Sequence, residues 1–264
     1  IGAWNHGATQ HVGAKENPFP LLAQMKESLR FFDSPPATRE LHYFTIFENE
    51  WKSTPEFPPA DFSNTRFFFQ PQSGLSALLP PPQPADRYQT DFNASTGLNN
   101  RWQTELDQRP VKYAPIKGQL AYTTAPLEND IEIIGYPVVT LFLKSTHDDG
   151  NFFVYLEAID EQSNVHYLTE GMLRAIHRKI STDTPPYKQF IPYHSFKRKD
   201  AMPLIPNEVA EITFGLNPIS ALIRRGWKIR VSISGADKDT FARIPLTGSP
   251  SVEIMIGGDQ ASFI

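Results

Sequence analysis

The side chains that could perform chemistry are seven histidines and the hydroxyl and acidic residues, because the chain has no cysteine. Zero cysteines exclude disulfides, thiolate metal sites and cysteine nucleophiles. A serine nucleophile elbow needs a G-x-S-x-G pentad, and the sequence has none, since Gly74-Leu75-Ser76 continues with Ala77-Leu78. A Walker loop, an HExxH motif and a dinucleotide-binding glycine fingerprint are also missing, so we expect no cofactor and no metal.

Histidine is the most informative of these types, since its ring exchanges a proton near neutral pH and also binds metals. The seven are His6, His11, His42, His147, His166, His177 and His194. A metal site would need two or three of them to converge with a carboxylate, and no pair has helical i, i+4 spacing. His6 and His11 lie five residues apart in a predicted loop. We interpret His42, His166 and His177 as residues of predicted strands.

One run of alternating polar residues is similar to the start of a calcium loop. Asp91, Asn93 and Ser95 alternate as in an EF-hand, but position six is Thr96 and position twelve is Trp102. The glycine turn and the bidentate glutamate that an EF-hand requires are therefore missing. We interpret these residues as a turn.

Composition and charge exclude several classes of protein. The chain of 264 residues has 25 basic minus 29 acidic side chains, or −4, and without basic runs it is a poor nucleic-acid binder. No stretch approaches the roughly 20 apolar residues that span a bilayer, so we expect no membrane partner. Apolar residues make up 40% of the chain, which excludes a disordered protein. Cytoplasmic and secreted locations both stay open.

One helix is predicted, over residues 20–33. Its apolar residues recur at helical spacing: Leu21, Leu22, Met25, Leu29 and Phe32. Charged residues occupy the other face, and Pro35 and Pro36 end the helix.

The rest of the sequence is typical of strands. Aromatic or apolar runs fall at 41–47, 65–69, 119–124, 131–134, 137–146, 152–160, 165–168, 171–179, 208–215, 227–235 and 250–256. The poor alternation of 152–160 indicates burial on both faces. Residues 80–84 (PPPQP) are predicted to be a connector outside the ladders, and 182–206 a long excursion. The fold class is mainly β: a jelly-roll-like β-sandwich of eight or more strands after a short αβ piece.

Several strings, in this order and spacing, resemble the C-terminal part of the cocaine-esterase-like and X-prolyl dipeptidyl-peptidase group of α/β-hydrolases. They are Ile1-Gly2-Ala3-Trp4-Asn5-His6-Gly7, Leu29-Arg30-Phe31-Phe32-Asp33, Thr96-Gly97-Leu98-Asn99-Asn100-Arg101-Trp102, Tyr122-Thr123-Thr124-Ala125-Pro126-Leu127, Leu168-Thr169-Glu170-Gly171-Met172-Leu173-Arg174-Ala175 and Gly226-Trp227-Lys228-Ile229-Arg230-Val231. Ala3 stands where the group usually has proline. The resemblance extends over essentially the whole chain.

The resemblance implies a division at residue 45. Residues 1–45 would be the last strand, loop and helix of an α/β-hydrolase domain, and 46–264 a galactose-binding-like jelly roll. His6 would be the catalytic base of a serine hydrolase acting on acyl esters, amides or X-Pro peptides. Because the triad order is Ser, Asp, His, the serine and the acid would lie upstream of Ile1. The sequence also begins with Ile instead of Met, and we expect a segment of a longer polypeptide.

Two readings stay open. In the first, the chain is part of an ester- or amide-cleaving enzyme whose partners are a small-molecule or peptide substrate and the upstream hydrolase half. In the second, it is a non-catalytic sandwich that binds a ligand or mediates oligomer contacts, with residues 1–40 as a cap. A homo-oligomer is compatible with both.

Overall fold

The computed structural model describes residues 2–6, 21–102, 111–116 and 120–264. Their elements are α1 (Leu21–Asp33), β1 (Leu41–Thr45), β2 (Glu50–Thr54), β3 (Phe68–Gln70), β4 (Gly74–Ser76), β5 (Gln83–Gln89), β6 (Leu120–Thr123), β7 (Ile131–Gly135), β8 (Val138–Ser145), β9 (Asn151–Ile159), β10 (Val165–Arg174), β11 (Ala210–Gly215), β12 (Ile219–Ile223), β13 (Lys228–Ser234) and β14 (Ser251–Ile256). In these ranges no helix is long and apolar enough to cross a membrane.

Two larger sheets form the sandwich, so the prediction of a mainly β fold is confirmed. One has the order β10-β9-β13-β6-β4-β3 and the other the order β11-β8-β14-β5. The pairs are antiparallel except for a parallel contact between β4 and β6. Phe263 bridges to Thr140 in one sheet and to Phe68 in the other, so the last residues link the two. Two-stranded sheets, β1-β2 and β12-β7, lie beside them.

Strand alternation produces the core between the sheets. Val139, Leu141 and Leu143 are fully buried on β8, and Val231 and Ile233 are fully buried on β13. Side chains two residues apart on a strand share a face, so each strand contributes one apolar row. Burying each such side chain stabilises the fold by roughly 1.5–3 kcal/mol.

Strand β9 is buried on both faces, as its sequence predicted. Its even-numbered side chains, such as Val154, join the main core. On its outer face, Phe153 and Tyr155 form a second cluster with Tyr167, against which Tyr113 and Phe241 pack. The sandwich therefore has an extra layer outside one sheet.

Helix α1 begins and ends where periodicity and proline predicted. The described part of the chain leaves its apolar side chains largely exposed: Leu22, Met25, Leu29, Phe31 and Phe32. Arg30 forms an ion pair with Glu27 on the opposite face. The helix is amphipathic, but nothing in the described residues covers its apolar face.

Three predictions of local structure were wrong in detail. The PPPQP run is predicted to be a connector, but its Gln83 is the first residue of edge strand β5 and pairs with Ile256 of β14. The register shifts there, so Pro84 lies in an irregularity of the ladder where its missing N–H is tolerated. Residues 165–168 and 171–179 were separated, but β10 is continuous because a bulge at Leu168 absorbs the break in alternation. His177 lies in a single 3-10 turn instead of a strand.

Other parts of the pattern are confirmed or extended. Residues 182–206 contain only a 3-10 turn of three residues, as expected for an excursion. Strands β2, β4 and β12 match none of the predicted runs. Strand β12 is short and follows Pro218 directly. The β1–β2 hairpin spans the predicted division at residue 45, and the division stays a prediction.

Candidate functional site

Residues 2–6 lie against one end of the sandwich and present His6 to solvent. Asn5 is buried and His6 is exposed. The His6 backbone N–H donates to the Arg101 carbonyl oxygen at 2.6 Å, and the imidazole ring lies 6.1 Å from the Trp102 ring. A Cβ at Gly2 would overlap the indole of Trp4, so only glycine permits this packing.

A narrow cleft separates this segment from the sandwich. Its walls include Trp4, Arg101, Thr169, Asn217 and Ser220. Its volume is about 40 Å³, which is room for a few water molecules and far less than a substrate pocket. The described residues therefore place a histidine at a surface, without a closed binding pocket beside it.

A buried acid lies behind this cleft on β10. Glu170 is 3% exposed, and its Oε1 has no hydrogen-bond partner among the described residues. Burial raises the pKa of this carboxyl to about 7, and the Arg101 guanidinium partly opposes the rise. A hydrogen bond with Trp102 also opposes the rise, but burial outweighs both effects, so the charged form of Glu170 destabilises the folded chain.

We predict that wild type loses stability as the pH rises and Glu170 becomes charged, and that Glu170→Gln removes this loss. The pKa of Glu170 rises from 4.5 unfolded to about 7 folded, so the folded state holds the proton more tightly. The contribution of Glu170 to the free energy of unfolding therefore falls as pH rises through that window, by about 2–4 kcal/mol. Urea unfolding at pH 4.5 and pH 8 measures the free energy of unfolding. At pH 8 the value for Glu170→Gln should exceed that for wild type by this amount.

Glu208→Gln is the matched control, since Glu208 is exposed. Parallel stability curves for wild type and Glu170→Gln between pH 4.5 and pH 8 would contradict the assignment of a raised pKa to Glu170.

The other predicted candidates do not join His6. His11 lies outside the described residues. Asp91 forms the expected turn, since its Oδ1 accepts the Asn93 N–H at 2.8 Å. His166 stacks on Trp227 and contacts Asp160, which is a structural role. In the described part of the chain, no three His, Asp or Glu residues are grouped to hold a metal ion.

Sequence reasoning missed two residues of this region. Glu170 and Arg101 both lie in strings that resemble the hydrolase group, but the resemblance implies no role for either. An acidic residue amid the apolar run of β10 (VHYLTEGMLR) was the available signal, because a buried carboxylate calls for an explanation.

Fold and site together define a β-sandwich domain with a short histidine-bearing segment attached at one end. The chain belongs to the family of X-Pro dipeptidyl-peptidase C-terminal non-catalytic domains, whose model matches residues 27–255. The match begins within α1, so His6 lies outside it.

Relatives of known sequence are longer than this chain. A protein of Mycobacterium bovis, provisionally named a serine esterase, is 40% identical over an alignment of 293 positions. The alignment covers all of this chain and 44% of that relative. The chain thus spans less than half the length of the curated relatives it matches.

Solved structures share the fold at low sequence identity. An aminopeptidase from a marine sediment Thaumarchaeota archaeon superposes with a TM-score of 0.71 at 16% identity, covering 98% of this chain and 47% of that one. A CocE/NonD family hydrolase from Staphylococcus aureus gives 0.65 at 17% identity, covering 92% and 45%. At such identities the likeness shows the fold alone.

Proposed function

We propose that this chain is the C-terminal part of a serine hydrolase that cleaves acyl esters, amides or X-Pro peptides. His6 is the catalytic base of a Ser-Asp-His triad whose serine and acid lie upstream of Ile1 in the same polypeptide. The observation that supports this most is the position of His6. Its backbone is hydrogen-bonded to Arg101 of the sandwich, while the residue is exposed and open to contact with an upstream domain.

The lengths of the relatives support an upstream half. A protein named as a serine esterase continues well beyond the region that this chain matches. The sequence of this chain has no G-x-S-x-G of its own. A nucleophile elbow in the remaining part of a longer polypeptide would complete the Ser, Asp, His order.

Helix α1 supplies a second argument. Leu22, Met25 and Leu29 are each more than half exposed, and such a face on an amphipathic helix normally packs against another element. We assign it to the upstream α/β-hydrolase domain, of which residues 1–45 would be the last part. Residues 46–264 would then be the sandwich that holds this part in place.

The mechanism follows from what a histidine in this position can do. The imidazole of His6 takes the proton of the upstream serine as the hydroxyl attacks the carbonyl, and then gives it to the leaving group. An upstream carboxylate orients the ring. In this mechanism the sandwich takes no part in bond breaking, and its role is to hold the His6 backbone through the Arg101 carbonyl oxygen.

We predict that the 264-residue chain alone does not hydrolyse p-nitrophenyl butyrate, because a base without a nucleophile lacks covalent catalysis. The same assay on the natural polypeptide should show turnover. Turnover by the chain alone that His6→Ala abolishes would contradict the proposal. So would a natural reading frame without G-x-S-x-G followed by an Asp upstream of Ile1.

One observation favours a second candidate, a non-catalytic binding or oligomerisation module. The matched family is described as non-catalytic, and its model excludes His6. That candidate predicts that a polypeptide beginning near Ile1 folds, and binds a ligand or forms oligomers, without any hydrolytic activity.

A further inference from the structure

A second buried acid, Asp237, is hydrogen-bonded to the outer layer of the sandwich through Tyr155. Asp237 is 1% exposed. Its Oδ1 accepts the Thr96 N–H at 3.0 Å, and its Oδ2 accepts the Thr96 hydroxyl at 2.5 Å and the Tyr155 hydroxyl at 3.0 Å. Three donors aimed at one carboxylate are charge-assisted hydrogen bonds, which fix a loop more firmly than neutral ones.

The bonds continue from Thr96 along the loop 94–102, which we name the supporting loop. Asn100 donates from Nδ2 to the hydroxyls of Thr96 at 3.0 Å and Thr240 at 2.6 Å. Its Oδ1 accepts the Trp102 N–H at 3.0 Å. The Asn100 amide therefore links the buried acid, through the Thr96 hydroxyl, to the Trp102 backbone.

The far end of the supporting loop holds His6. The Arg101 carbonyl accepts the His6 N–H, and the Trp102 ring lies beside the imidazole. Trp102 also packs edge-on against Phe241, with ring centroids 5.6 Å apart, and Phe241 packs against Phe153 of β9, with ring centroids 5.0 Å apart. Polar and aromatic contacts from the sandwich thus converge on Arg101 and Trp102, which contact His6.

We propose that Asp237 is a positioning residue for His6 that acts through Thr96, Asn100 and the supporting loop. This inference rests on the proposed role of His6 as the base. Because misplacing a catalytic group by about 1 Å can lower a rate by about 10²-fold, a loop that fixes the His6 backbone controls the rate without touching the substrate.

The test uses the natural polypeptide with p-nitrophenyl butyrate as substrate. Asp237→Asn and Asn100→Ala are measured in the wild-type and in the His6→Ala backgrounds. We expect each to lower kcat by about 10- to 100-fold with little change in KM when His6 is present, and to have no further effect on the residual rate when His6 is replaced. A group that acts only through His6 loses its effect once His6 is gone.

Asp86→Asn is the matched control, because Asp86 also accepts a tyrosine hydroxyl, that of Tyr122, at 3.0 Å, on β5. It should leave kcat within about threefold in both backgrounds. Asn100→Ala carries the test if Asp237→Asn does not fold, since it leaves the carboxylate and its Tyr155 bond intact.

Two results overturn the inference. They are an equal loss in both backgrounds, which shows a general structural role, and no loss in either. If His6→Ala itself leaves the rate unchanged, the proposed function fails first and the inference falls with it.

Discussion

Replacing His6 with alanine is expected to lower kcat of the natural polypeptide by about 10³-fold or more, with little change in KM. The His6 backbone N–H donates to the Arg101 carbonyl oxygen, and the residue is exposed. The neighbouring cleft, of about 40 Å³, is too small for a substrate. Its removal would take away proton transfer in the transition state and leave ground-state binding intact, which is the pattern of a loss in kcat alone.

Steady-state kinetics on p-nitrophenyl butyrate measure this effect. His42→Ala is the matched control, since His42 is also an exposed histidine, on β1, and it should retain nearly full activity. A loss of less than tenfold for His6→Ala would remove His6 from the triad.

The largest expected effect on stability comes from Arg230. Glu157 is fully buried on the outer face of β9. Its carboxylate accepts two bonds from the Arg230 guanidinium, at 2.7 and 3.0 Å, and others from Ser232 and Tyr113. Arg230→Met would leave a buried carboxylate without its cation, so we expect the free energy of unfolding to fall by about 3–5 kcal/mol.

Urea denaturation of the chain measures this loss. The paired variant Glu157→Leu with Arg230→Met removes both charges, and we expect it to recover part of the loss, because packed apolar residues replace a buried ion pair at little cost. Recovery is incomplete because the Ser232 and Tyr113 hydroxyls lose their acceptor. If the pair of changes is as harmful as Arg230→Met alone, packing and not charge explains the loss.

The sequence predicted local features well and long-range ones poorly. Helix α1 and most strands follow from spacing and proline, because both act within a few residues. Strand β10 needed knowledge of its partner, since the bulge at Leu168 exists only in the register with β9. Burial of β9 on both faces was visible as lost alternation.

The two buried acids, Asp237 and Glu170, could not be predicted for the same reason. Asp237 and Thr96 lie 141 residues apart in the chain, and no local pattern at either residue indicates the other. Glu170 interacts with Arg101 and Trp102, which belong to a distant part of the sequence, so no local pattern at Glu170 indicates them. His6 was identified through a family resemblance, and its spacing from His11 alone gave it no role.

The most direct test of the account is fluorophosphonate labelling of the natural polypeptide, with the product read by intact mass and the adduct mapped by peptide analysis. We predict a single adduct on a serine upstream of Ile1, formed much more slowly in His6→Ala, because an activated serine nucleophile needs its base. The absence of an adduct on the folded natural polypeptide would contradict a serine hydrolase and favour the binding module.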